Sequence, residues 1–167
     1  TAFALCDESG MRADLRSEMI QKALTGEITI HTDPLASPSG FPFKVVDLPG
    51  TLSDAVVYGE RDRVCDLGFL RTTYQRPDGR IGYRCPSEPV DIYVSKGGKV
   101  EDTVGRKCLC NGLMATAGLA QEHDTGTEPP IVTAGDDLGA VVASLGGDTG
   151  HWSAADVVEF LLGSPGA

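Results

Sequence analysis

The apolar positions change period several times along the chain. Residues 1–6, Thr1-Ala2-Phe3-Ala4-Leu5-Cys6, form a short apolar run that reads as a strand and stops at the polar Asp7-Glu8-Ser9-Gly10. Met11, Leu15, Met19, Ile20, Ala23 and Leu24 then recur at helical spacing, and Gly26 stands where a helix C′ residue belongs. Residues 1–26 therefore predict one strand–turn–helix unit. Over residues 27–32, Ile28 and Ile30 alternate with polar neighbours, a half-buried strand. Residues 33–40 hold two prolines, two serines and a glycine and predict a loop, followed by a second extended piece at 41–46. Pro49-Gly50 turns the chain, and residues 53–58 suit one or two helical turns.

The character changes from Cys65 onward. Residues 69–74 and 80–84 predict two strands around Arg76-Pro77-Asp78-Gly79, with Pro and Gly where a hairpin turn wants them. Pro86 and Pro89 stop the second strand, residues 90–94 suit a helix or an extended piece, and Lys96-Gly97-Gly98-Lys99 forms a joint. Asn111 is placed to cap a helix through Leu113, Met114, Ala117 and Leu119. After a polar stretch at 122–130, Ile131-Val132 reads as a brief strand. Thr133 with Asp136, and Ser153 with Asp156, have capping-box spacing ahead of two apolar helical patterns. There is no internal repeat. The segments are 1–26, a proline-rich region 27–64, a cysteine-containing region 65–125 and terminal helices 126–167. Many short elements with long loops imply a piece that packs on a larger body.

Composition narrows the function classes. With 14 Lys plus Arg against 24 Asp plus Glu, the net charge of −10 repels polyanions and argues against nucleic acid as a partner. No apolar run approaches the roughly 18 residues of a membrane span, and no basic stretch precedes an apolar one as in a signal peptide. Five cysteines, an odd number without a secreted-scaffold pattern, imply reduced thiols in a cytosolic protein. The 167 residues suit one domain and fall short of the roughly 250 of a complete (β/α)8 barrel. A start inside an apolar run leads us to expect further sequence upstream.

Cys65, Cys85, Cys108 and Cys110 bracket the predicted hairpin and end in a Cys-x-Cys pair. In an extended Cys-x-Cys both side chains point the same way, and four thiolates at one point would suit structural zinc or an iron–sulfur cluster. Burial as small apolar residues is the competing reading, and the spacing lacks the paired Cys-x2-Cys repeats of a zinc ribbon. Cys6 is expected only to pack. His31, His123 and His151 read as surface or loop histidines, and Trp152 as an anchor for the terminal helix. Lys44, beyond the 33–40 loop, is either a solvated cation or one that favours an anionic substrate. Asp136-Asp137 suits a helix amino terminus.

Five segments carry a family resemblance: residues 1–10; Thr32-Asp33-Pro34-Leu35-Ala36-Ser37-Pro38-Ser39-Gly40-Phe41-Pro42-Phe43-Lys44; Gly82-Tyr83-Arg84-Cys85-Pro86; Gly105-Arg106-Lys107-Cys108-Leu109-Cys110-Asn111; and Thr133-Ala134-Gly135-Asp136-Asp137-Leu138. In these the chain resembles the nitronate monooxygenase family, also called the 2-nitropropane dioxygenase family. The resemblance implies an α/β fold class: the carboxy-terminal fragment of a (β/α)8 TIM barrel, its last βα unit, with an irregular α+β carboxy-terminal extension. It implies FMN as cofactor, with Thr1 matching the Thr of a Gly-Thr pair that holds the flavin phosphate at the end of the last strand. Thr1, Ala2 and Phe3 are thus the cofactor-binding candidates; without the resemblance they would read as a buried strand. The catalytic His of the family falls upstream and matches none of the three histidines here. The expected activity is oxidation of alkyl nitronates with O2, the fragment alone being inactive. Reduction of enoyl thioesters is the alternative within the superfamily, and a non-catalytic cysteine-rich metal-binding or scaffolding module the alternative outside it. The expected partner is a small-molecule substrate, and a homo-oligomer stays open.

Overall fold

Short helices and antiparallel hairpins alternate along the chain in the computed structural model, which describes residues 1–147 and 149–163. Residues 164–167 of the last expected segment lie outside the described residues. The order is α1 (Ala2–Leu5), α2 (Ala13–Leu24), β1 (Ile30–Asp33), β2 (Phe43–Val46), α3 (Ala55–Glu60), β3 (Thr72–Gln75) and β4 (Ile81–Arg84). Then follow α4 (Val90–Ser95), a 3-10 turn at Val100–Thr103, α5 (Leu109–Thr116), β5 (Glu122–His123), β6 (Gly126–Thr127), α6 (Leu138–Leu145) and α7 (Ala154–Leu162). Among the described residues the strands pair only as two-stranded antiparallel sheets: β1 with β2, β3 with β4 and β5 with β6. The fold is mixed α/β, with no closed barrel among these residues.

The opening residues correct an expectation. Ala2–Leu5 is one turn of helix, not a strand. Alanine and leucine are strong helix formers and residues 2–6 contain no β-branched side chain, so a short apolar run carried no local preference for extension. What decides the conformation is burial: Leu5 and Cys6 enter a core built mainly by helices. That core joins Leu15, Met19 and Ile20 of α2 with Leu138, Val141 and Val142 of α6, Trp152, and Val157 of α7. Met19, Leu138, Val142 and Val157 are fully buried, each contributing about 1.5–3 kcal/mol from lost apolar contact with water. Trp152 anchors both ends of the chain, its indole N–H donating to the Ala2 carbonyl at 3.2 Å.

Local chemistry explains several ends. Gly26, at φ +73°, closes α2 in the left-handed conformation that glycine adopts without a Cβ penalty. Ser153 and Asp156 form the expected reciprocal cap of α7. The other expected cap is absent: α6 starts after Asp137, with no side chain bonded to its first turn. Asn111 also departs from expectation. It lies inside α5, whose cap position is Cys108. The Ile131-Val132 segment runs along β2, with the Val46 N–H donating to the Val132 carbonyl at 2.9 Å and a single bridge between Val45 and Thr133. A second apolar cluster forms there from Ala36, Val45, Leu52, Leu109 and Ile131.

Residues 61–107 are organised differently. Their buried members are Cys85, Pro86, Ser87, Glu88, Tyr93 and Thr103, and none belongs to either apolar cluster. Arg63 fans its guanidinium onto three backbone carbonyls, those of Glu88 (3.2 Å), Thr103 (3.1 Å) and Pro86. Glu88 accepts from the Cys85 N–H at 3.2 Å and from Lys96 at 2.7 Å. Arg84 lies over the rings of Tyr74 and Tyr93, at 5.2 and 5.5 Å.

Candidate functional site

Thr1 stands at the wall of an open recess of about 310 Å³, lined by Thr1, Ala4, Phe43, Lys44, Ala134 and Gly135, among others. Its hydroxyl donates to Asp137 at 3.0 Å and accepts from the Gly135 N–H at 3.1 Å. Lys44 pairs with Asp136 at 2.8 Å. Phe3 turns the other way, into a second recess shared with Ala4, Met11 and Leu113, and the Ala2 carbonyl is taken by Trp152. The three residues expected to hold a flavin phosphate therefore do not form a phosphate cradle by themselves. The Thr1 proton is committed to a carboxylate, and that carboxylate repels a phosphate. What the structure does bring together is three separated segments, around Thr1, Lys44 and Gly135, at one recess.

The four cysteines do not gather at one point, the first of the two readings of their spacing. All five cysteines are free thiols, and among the described residues no three or more His, Cys, Asp or Glu side chains meet in a way that could hold a metal ion. The reason is local. Cys108 is the non-helical cap of α5 and Cys110 lies in its first turn, so the pair is not the continuous extended segment that would aim both side chains the same way. Burial pushes the Cys108 thiol up to about 11 and raises that of Cys110. Cys6 donates to the Phe3 carbonyl at 3.2 Å and packs, as expected.

Cys65 and Cys85 are the exception. Arg71 Nε reaches the half-buried Cys65 sulfur at 3.4 Å. The neighbouring Cys85 thiol and this guanidinium outweigh burial and bring the Cys65 thiol down to about 6. Cys85 is raised, first by its neighbour Cys65 and then by burial.

A third arrangement was not anticipated. The side chains of Arg61 and Glu128, both buried, pair at 2.7 Å. Burial raises the Glu128 carboxyl above its ordinary range although Arg61 opposes the shift. His123, expected on the surface, points its largely buried Nε2 toward Asp66 at 3.5 Å and Glu128 at 3.7 Å. Asn111 donates to the same Asp66 at 3.0 Å. His123 Nε2 and Glu128 Oε2 make no hydrogen bond within the protein, and both residues line an open cleft of about 190 Å³ with Val57 and Thr127. Nothing local marks these residues, since Glu128 sits in a polar stretch before two prolines and its partner is distant in sequence. His31 and His151 fit the surface reading, paired with Asp47 at 2.9 Å and Asp7 at 3.0 Å.

Comparison with protein-family models, with curated proteins and with solved structures gave no match. No helix among the described residues is long and apolar enough to cross a membrane.

Proposed function

We propose that the chain is the carboxy-terminal part of an FMN-dependent oxidoreductase of the nitronate monooxygenase family, oxidising alkyl nitronates with O2 in the cytoplasm. One observation carries the reading. Three of the five segments in which the chain resembles that family, those containing Thr1, Lys44 and Gly135, converge on a single recess although they lie far apart in sequence. Backbone pairing of Ala134 with Lys44 brings two of these segments together, and their meeting with Thr1 at one concave surface suits a shared site. The recess is open, which suits a surface that a larger body covers. Most of the flavin pocket then belongs to that body, with Thr1 and Gly135 at one edge of it and Lys44, paired with Asp136, beside it.

Oxygen uptake by the intact protein tests the reaction. Addition of an alkyl nitronate is expected to start uptake, and the 167 residues alone are expected to show none. Nicotinamide-dependent reduction of an enoyl thioester without nitronate turnover would replace the substrate class. Turnover by the 167 residues alone would overturn the division of the site between this chain and a larger body.

A further inference from the structure

The β3–β4 hairpin is a two-stranded sheet whose two faces differ. Side chains alternate across a strand, so the facing pairs Thr73–Tyr83 and Gln75–Ile81 share one side. Tyr74 and Arg84 lie on the other side, where Arg84 covers the Tyr74 ring and reaches Tyr93 of α4. The first side meets solvent: Ile81 is 68% and Tyr83 58% exposed, with Thr73 and Gln75 exposed beside them. Its charge is the reverse of the whole protein's. Residues 69–84 hold four arginines, Arg71, Arg76, Arg80 and Arg84, against the single carboxylate of Asp78, in a chain where 24 carboxylates face 14 cations. Arg71, Arg76 and Arg80 are exposed.

Helix α7 is the counterpart. Val157 is its buried residue, while Val158, Phe160, Leu161 and Leu162 are exposed. Ala155, Val158 and Leu162, spaced three and four residues apart, line one uncovered stripe. The helix carries Asp156 and Glu159 and no cation, and Glu8 is held at its first turn, accepting from the Ala154 N–H at 2.9 Å. An uncovered apolar surface with a charged rim marks an association site, and the sign of the charge decides which two such surfaces meet. Hairpin on hairpin, or α7 on α7, sets like charges together. Hairpin on α7 sets apolar against apolar and guanidinium against carboxylate. Within one chain α7 packs on α1 and α6, so the hairpin that covers it comes from another copy.

We propose that the protein self-associates through these two surfaces, the β3–β4 face of one copy seated on α7 of a second. Ile81 and Tyr83 supply the apolar contact to Val158 and Leu162, and Arg76 and Arg80 the cations for Asp156 and Glu159. A two-stranded hairpin with one bare face is marginally stable by itself, and the second copy covers that face. Neither surface includes the recess at Thr1, so the contact does not rest on the flavin reading.

Sedimentation of the intact protein over a range of concentrations tests the proposal. The mass is expected to rise above that of one chain as concentration increases. Arg76→Glu with Arg80→Glu makes the hairpin acidic, and Ala155→Lys with Glu159→Lys makes α7 basic; all four positions are exposed. Each double substitution is expected to weaken the association about tenfold or more. Mixing the two variants is expected to restore it. One then carries two acidic surfaces and the other two basic ones, so unlike copies attract where like copies repel. Recovery in the mixture also shows that both variants are folded. A protein that stays monomeric at high micromolar concentration would overturn the proposal, and so would association that either charge reversal leaves unchanged. Variants that lose association singly and do not regain it together would overturn it as well.

Discussion

The region built from residues 1–28 and 132–162 and the region of residues 61–107 solve the same problem with different forces. In the first, α1, α2, α6 and α7 bury a continuous set of apolar side chains, from Leu5 through Met19 and Leu138 to Val157. In the second, no buried residue joins an apolar cluster, and position is set by Arg63 on three carbonyls, by Glu88 between Cys85 and Lys96, and by Arg84 between two tyrosines. Both ends of that segment are pinned by buried ion pairs, Arg61 with Glu128 and Lys107 with Asp33. Hydrophobic burial is non-directional and survives small changes of shape, whereas a buried charge demands its partner. The contrast assigns robustness to the helical region and sensitivity to the middle one.

The largest effect is expected from breaking a pinned end. Arg61→Met leaves Glu128 buried without a counter-charge and is expected to cost about 3–5 kcal/mol, read by urea unfolding. Arg61→Met combined with Glu128→Leu is expected to recover most of that loss, because the penalty lies in the orphaned charge. A cost below about 1 kcal/mol would give the pair the worth of a surface salt bridge and erase the contrast.

Next in size is a cavity in the helical region. Leu138→Ala removes a fully buried side chain and is expected to cost about 3 kcal/mol, with no dependence on salt between dilute and molar buffer. A cost that changed with salt would show that charge, not burial, holds this region too.

The smallest effect is in the response to pH, where two buried carboxylates have opposite signs. Burial would raise the Asp33 carboxyl, but the hydrogen bonds from Lys107 and the Leu35 N–H outweigh it and hold it below its ordinary 3.8. Its contribution is therefore present above pH 3.8 and lost as the pH falls through the lower folded value. Glu128 is raised above 4.5, so its contribution is greatest below that value and declines as the pH rises through the folded pKa. Thermal melts across the acid range are expected to show Lys107→Met flattening the loss on the acid side while Leu138→Ala leaves its slope unchanged. An unchanged acid slope in Lys107→Met would separate Asp33 from acid stability.

The sequence made local features readable and left distant ones hidden. The β3–β4 hairpin was legible because Arg76-Pro77-Asp78-Gly79 encodes its own turn, with Gly79 at φ +80°. Gly26 and the Ser153–Asp156 cap were legible for the same reason. The conformation of residues 2–5 was not, since a short apolar run fits a strand or a helix until tertiary burial decides. The Cys-x-Cys spacing suggested joint ligation only if extended, and α5 begins between the two cysteines. Arg61 with Glu128 and Lys107 with Asp33 are 67 and 74 residues apart, a separation at which no local pattern names a partner. His123 read as a surface residue because its burying neighbours, Asp66 and Glu128, arrive from elsewhere in the chain. Of the candidate site, the three segments at the recess were visible in the sequence, but their meeting depends on the pairing of residues 132–134 with β2 and on the turn of helix at Ala2–Leu5.

The flavin content of the intact protein tests the functional reading most directly. Purified from cells replete in FMN, it is predicted to show the flavin absorption bands at about one FMN per chain, as expected when the cofactor carries the redox chemistry. A folded, intact protein that carries no FMN and takes up none when the cofactor is added would contradict the reading.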